Sequence, residues 1–193
     1  MSVSAATATL WTLFQQRGDD AYHGEPVSQL EHAVQAARIA LDETGDTELA
    51  IAALLHDIGH LLPSHQEMNG FGMLHHEALG ANFLRELGFS TNVVRLVGGH
   101  VAAKRYLTFA DPGYYAQLSA ASKETLVFQG GVMTIEEADR FQRDPLFKRH
   151  LLLRRIDERA KLVGLPAPDL SAWKALVATH LAGQAPQRRG SIG

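Results

Sequence analysis

The chain has 193 residues, 46% hydrophobic and 20% charged, a composition typical of a globular protein with one domain. Its formal net charge is −3 and no run of Lys and Arg forms a basic stripe, which argues against a nucleic-acid partner because such binding requires neutralised phosphates. Cysteine is absent, so disulfides and thiolate metal sites are excluded and a bound metal must use nitrogen and oxygen ligands.

The N-terminal segment lacks a basic region ahead of its apolar residues, and no segment approaches the roughly 20 apolar residues that span a bilayer. We therefore expect a cytoplasmic protein without membrane contact, either a monomer or a weak homo-oligomer. The unusual number is ten histidines, which raises the question of whether they are organised into a site.

Helix signals dominate the chain and strand-like alternation is absent, which predicts an all-α fold. We predict one domain over residues 1–183 and a disordered tail at 184–193. The first predicted helix begins at a capping box at 28–31 and stops at Gly45, and a short helix begins at a second capping box at 134–137. A loop is predicted at 64–74, and the remaining predicted helices cover 48–62, 77–87, 91–107, 114–129, 146–163 and 171–181.

The predicted helix at 48–62 carries the strongest signal. From Leu49 onwards its residues are apolar or Gly, with the exception of His56, Asp57 and His60. A helix that is apolar on all sides is buried, and on a continuous α-helix these three side chains would share an arc of about 100°. A buried carboxylate without a partner costs several kcal/mol, so Asp57 must be paired or must bind a metal. A hydrogen-bonded His–Asp pair in the core is the alternative, but three polar groups on one arc favour a metal site.

Other predicted helices carry polar side chains on or beside apolar faces. His32 lies at the margin of a broad apolar arc, and His100 follows an apolar run. Asp157 falls inside an apolar stripe, where a metal or a buried ion pair with an arginine could satisfy it. His76 opens the helix at 77–87, and its neighbour His75 competes for the same role.

In chain order, His32, the His56-Asp57 dipeptide and Asp157 form the H…HD…D pattern of the HD superfamily, and His76 and His100 extend it to the two-metal form. Within that superfamily the chain resembles the PhnZ-type mixed-valent diiron oxygenases, which degrade organophosphonates. The resemblance covers about residues 20–165. It is carried by YHGE (22–25), SQLEH (28–32), HDIGH (56–60), SKETL (122–126), QGG (129–131) and LRRID (153–157).

The resemblance implies an HD-domain helical bundle that holds two iron ions (Fe²⁺/Fe³⁺) and uses O₂ as co-substrate. One iron would take His32, His56, Asp57 and Asp157. The other would take His76 and His100, with Asp57 bridging the two ions. Imidazole and carboxylate ligands suit iron, and a bridging carboxylate offsets the repulsion between two cations.

The resemblance also implies roles around the metals. Tyr22 would be a metal ligand that substrate displaces, and Glu25 would meet the ammonium group of the substrate. Phosphonate binding would fall to His60, Lys104, Ser122 and Thr125, and His60 and Tyr22 would take part in catalysis. One cation with several donors suits a multiply charged oxyanion. The alternative is that Tyr22, Ser122 and Thr125 are ordinary solvated residues.

The implied reaction breaks the C–P bond of a small-molecule organophosphonate with O₂. From 2-amino-1-hydroxyethylphosphonate it would release phosphate and glycine, and from the trimethylammonio analogue it would give glycine betaine. The main alternative is a divalent-metal-dependent HD phosphohydrolase that acts on a nucleotide or phosphomonoester without redox chemistry. A non-catalytic HD module that senses a ligand or holds a partner is a third hypothesis.

Overall fold

The computed structural model describes residues 1–22, 24–63 and 73–184. Within these ranges the chain is all-α, as predicted, and contains no β-strand; Ala21 and Ser28 form an isolated bridge. The α-helices in chain order are α1 Val3–Arg17, α2 Gln29–Thr44, α3 Thr47–Leu55, α4 His76–Leu87, α5 Thr91–Ala110, α6 Pro112–Gln117, α7 Ala120–Phe128, α8 Ile135–Gln142, α9 Phe147–Arg159 and α10 Ser171–Gln184. A short 3₁₀ helix, Ile58–Leu61, follows α3. No helix in the described part of the chain is both long and apolar enough to cross a membrane.

Local capping chemistry sets the helix ends that the sequence predicts. The Ser28 hydroxyl accepts the Glu31 N–H, and the Glu31 carboxylate accepts the Ser28 N–H at 2.7 Å, which closes the capping box of α2. The second predicted capping box likewise opens α8. Gly45 ends α2 with φ of 64°, a left-handed conformation in which a Cβ would be strained.

Two predicted helices are interrupted in the structure. The predicted helix at 48–62 ends as an α-helix at Leu55 and resumes as the 3₁₀ helix, with Asp57 at φ −101° and ψ 11°. The predicted helix at 114–129 is divided into α6 and α7, because Ser119 adopts an extended conformation and its hydroxyl accepts the Ser122 N–H at 3.1 Å. Hydrophobic periodicity alone does not detect such internal caps.

Other differences lie at the ends of the chain and of α9. The helix α1 was not predicted, because its Ala- and Thr-rich sequence has only a weak apolar stripe; in the structure it packs against α10. The α9 helix ends at Arg159, short of the predicted 163, and α10 extends to Gln184, the first residue of the predicted tail. The rest of the predicted tail, and most of the predicted loop at 64–74, lie outside the described residues.

The core is built around α3. Residues 49–55 are each at most 1% exposed, and α2, α5, α9 and α10 all contact this helix. Burial on all sides explains why the sequence of α3 is apolar from Leu49 to Leu55. The polar dipeptide His56-Asp57, which follows α3 directly, is therefore delivered to the centre of the helical bundle.

The 3₁₀ helix and α4 approach each other closely at Gly59. A Cβ added to Gly59 would lie 2.0 Å from the carbonyl oxygen of His76, far inside van der Waals contact. The absence of a side chain at Gly59 therefore allows the first turn of α4, and with it His76, to lie against the end of the HDIGH segment.

We expect Gly59→Ala to lower the free energy of unfolding by about 1–3 kcal/mol, because the added methyl group must push the backbone of His76 away. Urea unfolding followed by circular dichroism measures the change. Gly183→Ala is the matched control, since apart from the backbone of its own helix and its two chain neighbours no atom lies within 4 Å of a Cβ at that position. Equal losses in the two variants would contradict the close contact at Gly59.

Candidate metal centre

Four buried histidines share one hydrogen-bonding pattern. The Nδ1 atom of each ring lies against a backbone carbonyl oxygen: His32 with Ala160 at 2.8 Å, His56 with Ala53 at 2.8 Å, His76 with Met73 at 3.2 Å and His100 with Val97 at 2.8 Å. A carbonyl only accepts, so these contacts assign the proton of each neutral ring to Nδ1 and the lone pair to Nε2. A backbone carbonyl behind the ring is one of the common ways in which proteins orient a histidine toward a metal.

The four Nε2 atoms face one another around Asp57. The Nε2 atoms of His32 and His56 lie 3.1 Å apart, and those of His76 and His100 lie 3.0 Å apart. With both protons on Nδ1, neither partner in such a pair has a hydrogen to donate. Lone pairs at this distance require a positive charge between them, either a proton or a metal ion.

The two carboxylate oxygens of Asp57 divide the cluster into two groups. Asp57 Oδ2 lies 3.2 Å from His56 Nε2 and 3.8 Å from His32 Nε2. Asp57 Oδ1 lies 3.3 Å from the Nε2 atoms of both His76 and His100. Ligands about 2.1 Å from one ion and at right angles are about 3 Å apart, close to these separations. The side chains thus fit two metal ions that share Asp57.

Asp157 faces the cluster with one oxygen and an arginine with the other. Its Oδ1 lies 3.4 Å from His32 Nε2 and accepts no hydrogen bond from the described residues, although it is buried. Its Oδ2 pairs with Arg154. The sequence offered a metal and an arginine as alternative partners of Asp157. In the structure one oxygen pairs with Arg154 while the other stays available to a metal, so both can be present. A buried carboxylate oxygen without a donor is costly, and a cation beside it would remove that cost.

The electrostatic field at this cluster favours positive charge. Although burial opposes ionisation, the pKa of Asp57 is held well below its usual value, mainly by His56, and that of Asp157 mainly by Arg154. Burial also opposes the charge on His56, yet Asp57 and Asp157 raise its pKa well above its ordinary value. Both carboxylates remain charged, which is the form that binds metals.

Tyr22 lies directly beside the cluster. Its ring stacks on His32 with 4.0 Å between centroids, and its backbone N–H donates to the Val27 carbonyl at 2.9 Å. Burial, together with the charges of Asp57 and Asp157, raises the pKa of the phenol well above its ordinary value. Tyr22 is therefore not an ordinary surface tyrosine, and its buried, negatively charged surroundings favour the protonated hydroxyl.

A cleft opens over Asp57 and brings the sequence-predicted substrate residues together. Its walls include all five of them: Glu25, His60, Lys104, Ser122 and Thr125. Tyr22, Gln129, Arg154 and Lys161 also line the cleft, as do four of the ligand candidates: Asp57, His76, His100 and Asp157. The metal cluster thus forms the base of a strongly polar cleft.

Lys104 is the buried cation of the predicted phosphonate set, with 3% of its surface exposed. Its Nζ donates to Thr125 Oγ1 at 2.9 Å, and the Thr125 hydroxyl donates to the Ala121 carbonyl at 3.0 Å. Thr125 therefore holds Lys104 in position. Burial, reinforced by the nearby charge of Arg154, lowers the pKa of Lys104 to about 7.

His60 has the opposite tautomer to the four ligand-like histidines. The Met73 N–H donates to His60 Nδ1 at 3.0 Å, which places the proton of the neutral ring on Nε2. The ring stacks on His76 with 3.9 Å between centroids. An Nε2–H group suits donation to an oxyanion, whereas a metal would need a lone pair.

The structure separates the adjacent residues His75 and His76. The side chain of His75 is 66% exposed and points away, so His76 is the one that reaches the cluster.

Two cations of the cleft were not recognised from the sequence. Arg154 was placed on the polar flank of its helix, but it is 5% exposed and donates from Nε to the Tyr114 hydroxyl at 2.9 Å. The sequence did contain one indication of this position. Arg154 lies three residues before Asp157, and residues at this spacing share a helix face and can form an ion pair. Lys161 follows the end of α9 and pairs with Glu25, a contact that no local pattern indicates.

Residues 29–163 match the HD domain family. The chain is 40% identical to a [1-hydroxy-2-(trimethylamino)ethyl]phosphonate dioxygenase (glycine-betaine-forming) of Leisingera caerulea, over 81% of each chain. It is also 40% identical to a hydroxymethylphosphonate dioxygenase of Gimesia maris, over 90% of this chain and 87% of the relative. An uncharacterized protein of Acanthamoeba polyphaga mimivirus is 37% identical, over 90% of this chain and 80% of the relative.

We expect His76→Asn to reduce the bound metal from two ions to at most one per chain, because the group of Asp57, His76 and His100 loses a ligand. Elemental analysis after anaerobic loading with Fe²⁺ and desalting gives the metal content. His75→Asn is the matched control, since asparagine tolerates the φ of 58° at that position. A normal metal content in the His76 variant would exclude this residue as a ligand.

Proposed function

The chain belongs to the HD domain family and is an oxygenase like its phosphonate dioxygenase relatives, and we propose that it uses O₂ to break the C–P bond of a 1-hydroxyphosphonate and release phosphate. The observation that carries the proposal is the pair of ligand groups joined by Asp57, set at the base of a cleft that contains the buried cation Lys104.

We propose iron for both ions. His32, His56, Asp57 and Asp157 would hold one, and Asp57, His76 and His100 would hold the other. The donor set of imidazole and carboxylate suits iron, and the sequence has no cysteine that could supply a soft thiolate ligand. When bound, the iron pair supplies the electron transfer to O₂ that no amino-acid side chain in the cleft could provide.

The side chains of the cleft bind the phosphonate group and hold it in place. Lys104 neutralises one phosphonate oxygen, and Thr125 fixes its Nζ atom at 2.9 Å from the threonine hydroxyl. His60 donates its Nε2–H to a second oxygen, and its stacking on His76 fixes its position relative to the metal ligand. Ser122 supplies a further hydroxyl beside Arg154, whose Nη2 lies 3.4 Å from Ser122 Oγ. Positioning of this kind is a main source of catalytic power.

Tyr22 controls access to the centre in this proposal. Its ring lies against His32. Burial and the two nearby carboxylates raise the pKa of the phenol, but a cation bound beside it would lower that pKa and favour loss of the proton. We propose that the phenol oxygen is a metal ligand until the substrate displaces it, and that it then takes up a proton. Water is thereby kept from the centre until the substrate is bound.

The overall reaction is balanced without an added reductant. A substrate R–CH(OH)–PO₃H₂ and O₂ give R–COOH and H₃PO₄. The C–P bond and the C1–H bond break, C1 loses four electrons, and both oxygen atoms of O₂ are reduced and retained in the products. Only O₂ is therefore required as co-substrate.

The substituent R separates the candidate substrates. The names of the two dioxygenase relatives give substrates that differ in this substituent. One substrate carries a trimethylammonio group, and the other is hydroxymethylphosphonate. The sequence resemblance favours 2-amino-1-hydroxyethylphosphonate, which would give glycine. That choice depends on Glu25 meeting the ammonium group, and in the structure Glu25 pairs with Lys161.

The function is tested by measuring O₂ uptake and phosphate release from iron-loaded protein with these three 1-hydroxyphosphonates. We expect one phosphate for each O₂ consumed, and an electron paramagnetic resonance signal near g = 2 from a mixed-valent iron pair that the substrate perturbs. Hydrolysis of phosphate esters with Mn²⁺ and without O₂ uptake would instead indicate the HD phosphohydrolase.

We expect kcat/KM to fall as the pH rises above about 7, because Lys104 has a pKa of about 7 and binds the phosphonate only in its protonated form. The limiting slope is about tenfold per pH unit. Lys104→Arg keeps its charge throughout this range, so its profile should be flatter. The ionisation of the phosphonate affects both proteins equally, and parallel profiles would therefore contradict the role of Lys104.

A further inference from the structure

The ammonium group of Lys161 occupies a cation-binding position in the wall of the cleft. Its Nζ lies 2.6 Å from Glu25 Oε1, 3.5 Å from Ser119 Oγ and 5.9 Å from the centre of the Tyr22 ring. A carboxylate, a hydroxyl and an aromatic ring are the groups that bind an ammonium ion. A substrate with a positive charge would need these same groups.

Glu25 is the one carboxylate of the described cleft that lies outside the metal cluster, since the other two are Asp57 and Asp157. The exposed fraction is 10% for the Glu25 side chain and 15% for that of Lys161. The pair is therefore largely shielded from solvent, where an ion pair is stronger than at the surface and costly to break by removing one partner.

The backbone on both sides of Lys161 is fixed to α2. The Ala160 carbonyl accepts the Nδ1–H of His32 at 2.8 Å, and the Leu162 N–H and carbonyl both bond to the Gln35 side chain at 2.9 Å. Glu25 is fixed as well, because its N–H donates to the Tyr22 carbonyl at 2.9 Å. Both partners thus start from anchored backbone, which favours a stable pair.

We propose that Lys161 is a built-in counterion that determines substrate specificity. It neutralises Glu25 and fills the position that the cation of a substrate would take, so the cleft selects 1-hydroxyphosphonates without a positively charged substituent. Hydroxymethylphosphonate is the smallest such molecule. An aminated substrate must displace Lys161 and leave two positive charges near one carboxylate, which is unfavourable. This inference rests on the proposed function.

The test compares binding of hydroxymethylphosphonate and 2-amino-1-hydroxyethylphosphonate to the full-length, iron-loaded protein by calorimetry without O₂, so that no turnover is needed. We expect the wild type to bind hydroxymethylphosphonate at least about tenfold more tightly. Lys161→Gln should shift the ratio of the two Kd values toward the amine by about tenfold, because Glu25 becomes available to its ammonium group.

Three further variants separate this effect from changes in net charge and folding. In the double variant Glu25→Gln/Lys161→Gln the shift toward the amine should disappear, although the net charge of the pair matches that of the wild type. Lys161→Arg should keep the wild-type ratio because it retains the cation. The exposed Lys148→Gln loses one charge away from the cleft and should also keep that ratio. Melting temperatures confirm that each variant is folded.

A wild type that binds the amine more tightly would overturn the role of Lys161 even if the Lys161→Gln variant did not fold. An unchanged Kd ratio in a folded Lys161→Gln protein would also overturn it. In both cases phosphonate binding, and with it the proposed function, would stand. If neither phosphonate binds to the iron-loaded wild type, the proposed function itself fails.

Discussion

The convergence of four imidazole lone pairs on one carboxylate is the constraint on which the rest of the molecule depends. Each ring is held from behind by a backbone carbonyl, and this contact directs its Nε2 atom toward Asp57. Electron-rich atoms gathered at such distances are stable only with positive charge among them. The helices α2 and α5, which carry His32 and His100, pack on α3, whereas α4, which carries His76, packs on α5 and the 3₁₀ helix. The fully buried α3 supplies the apolar surroundings of the cluster.

The interruption of the predicted helix after Leu55 is a consequence of this constraint. His56 belongs to the group around Asp57 Oδ2, whereas Asp57 itself must reach both groups. The chain leaves α-helical geometry at Asp57 and continues as a 3₁₀ helix. Irregular backbone of this kind is common at functional sites, where side-chain direction matters more than regular hydrogen bonding. Gly59 then lets α4 approach closely enough for His76 to contact Asp57.

Among the described residues, three buried or half-buried cations line the cleft, and their partners give them different roles. Arg154 is committed to Asp157 and Glu158, so it stabilises the metal-facing carboxylate. Lys161 is committed to Glu25. Lys104 contacts a hydroxyl and a carbonyl but no carboxylate among the described residues, which leaves its charge available to an anion and accounts for the lowering of its pKa by burial. Whether one of these cations can bind a phosphonate therefore depends on whether a carboxylate of the protein already neutralises it.

The sequence by itself determined the all-α class, the two capping boxes that open α2 and α8, and most of the side chains that meet at the cluster, while His75 and His76 remained alternatives. A polar group on an apolar helix face is costly without a partner, so His32, Asp57 and Asp157 could be recognised locally. Only the tertiary structure decided the break after Leu55, the tautomer of His60 and the pairing of Lys161 with Glu25, which are 136 residues apart. Each of these features depends on contacts with a distant segment of the chain, and the periodicity of a single helix does not indicate such contacts.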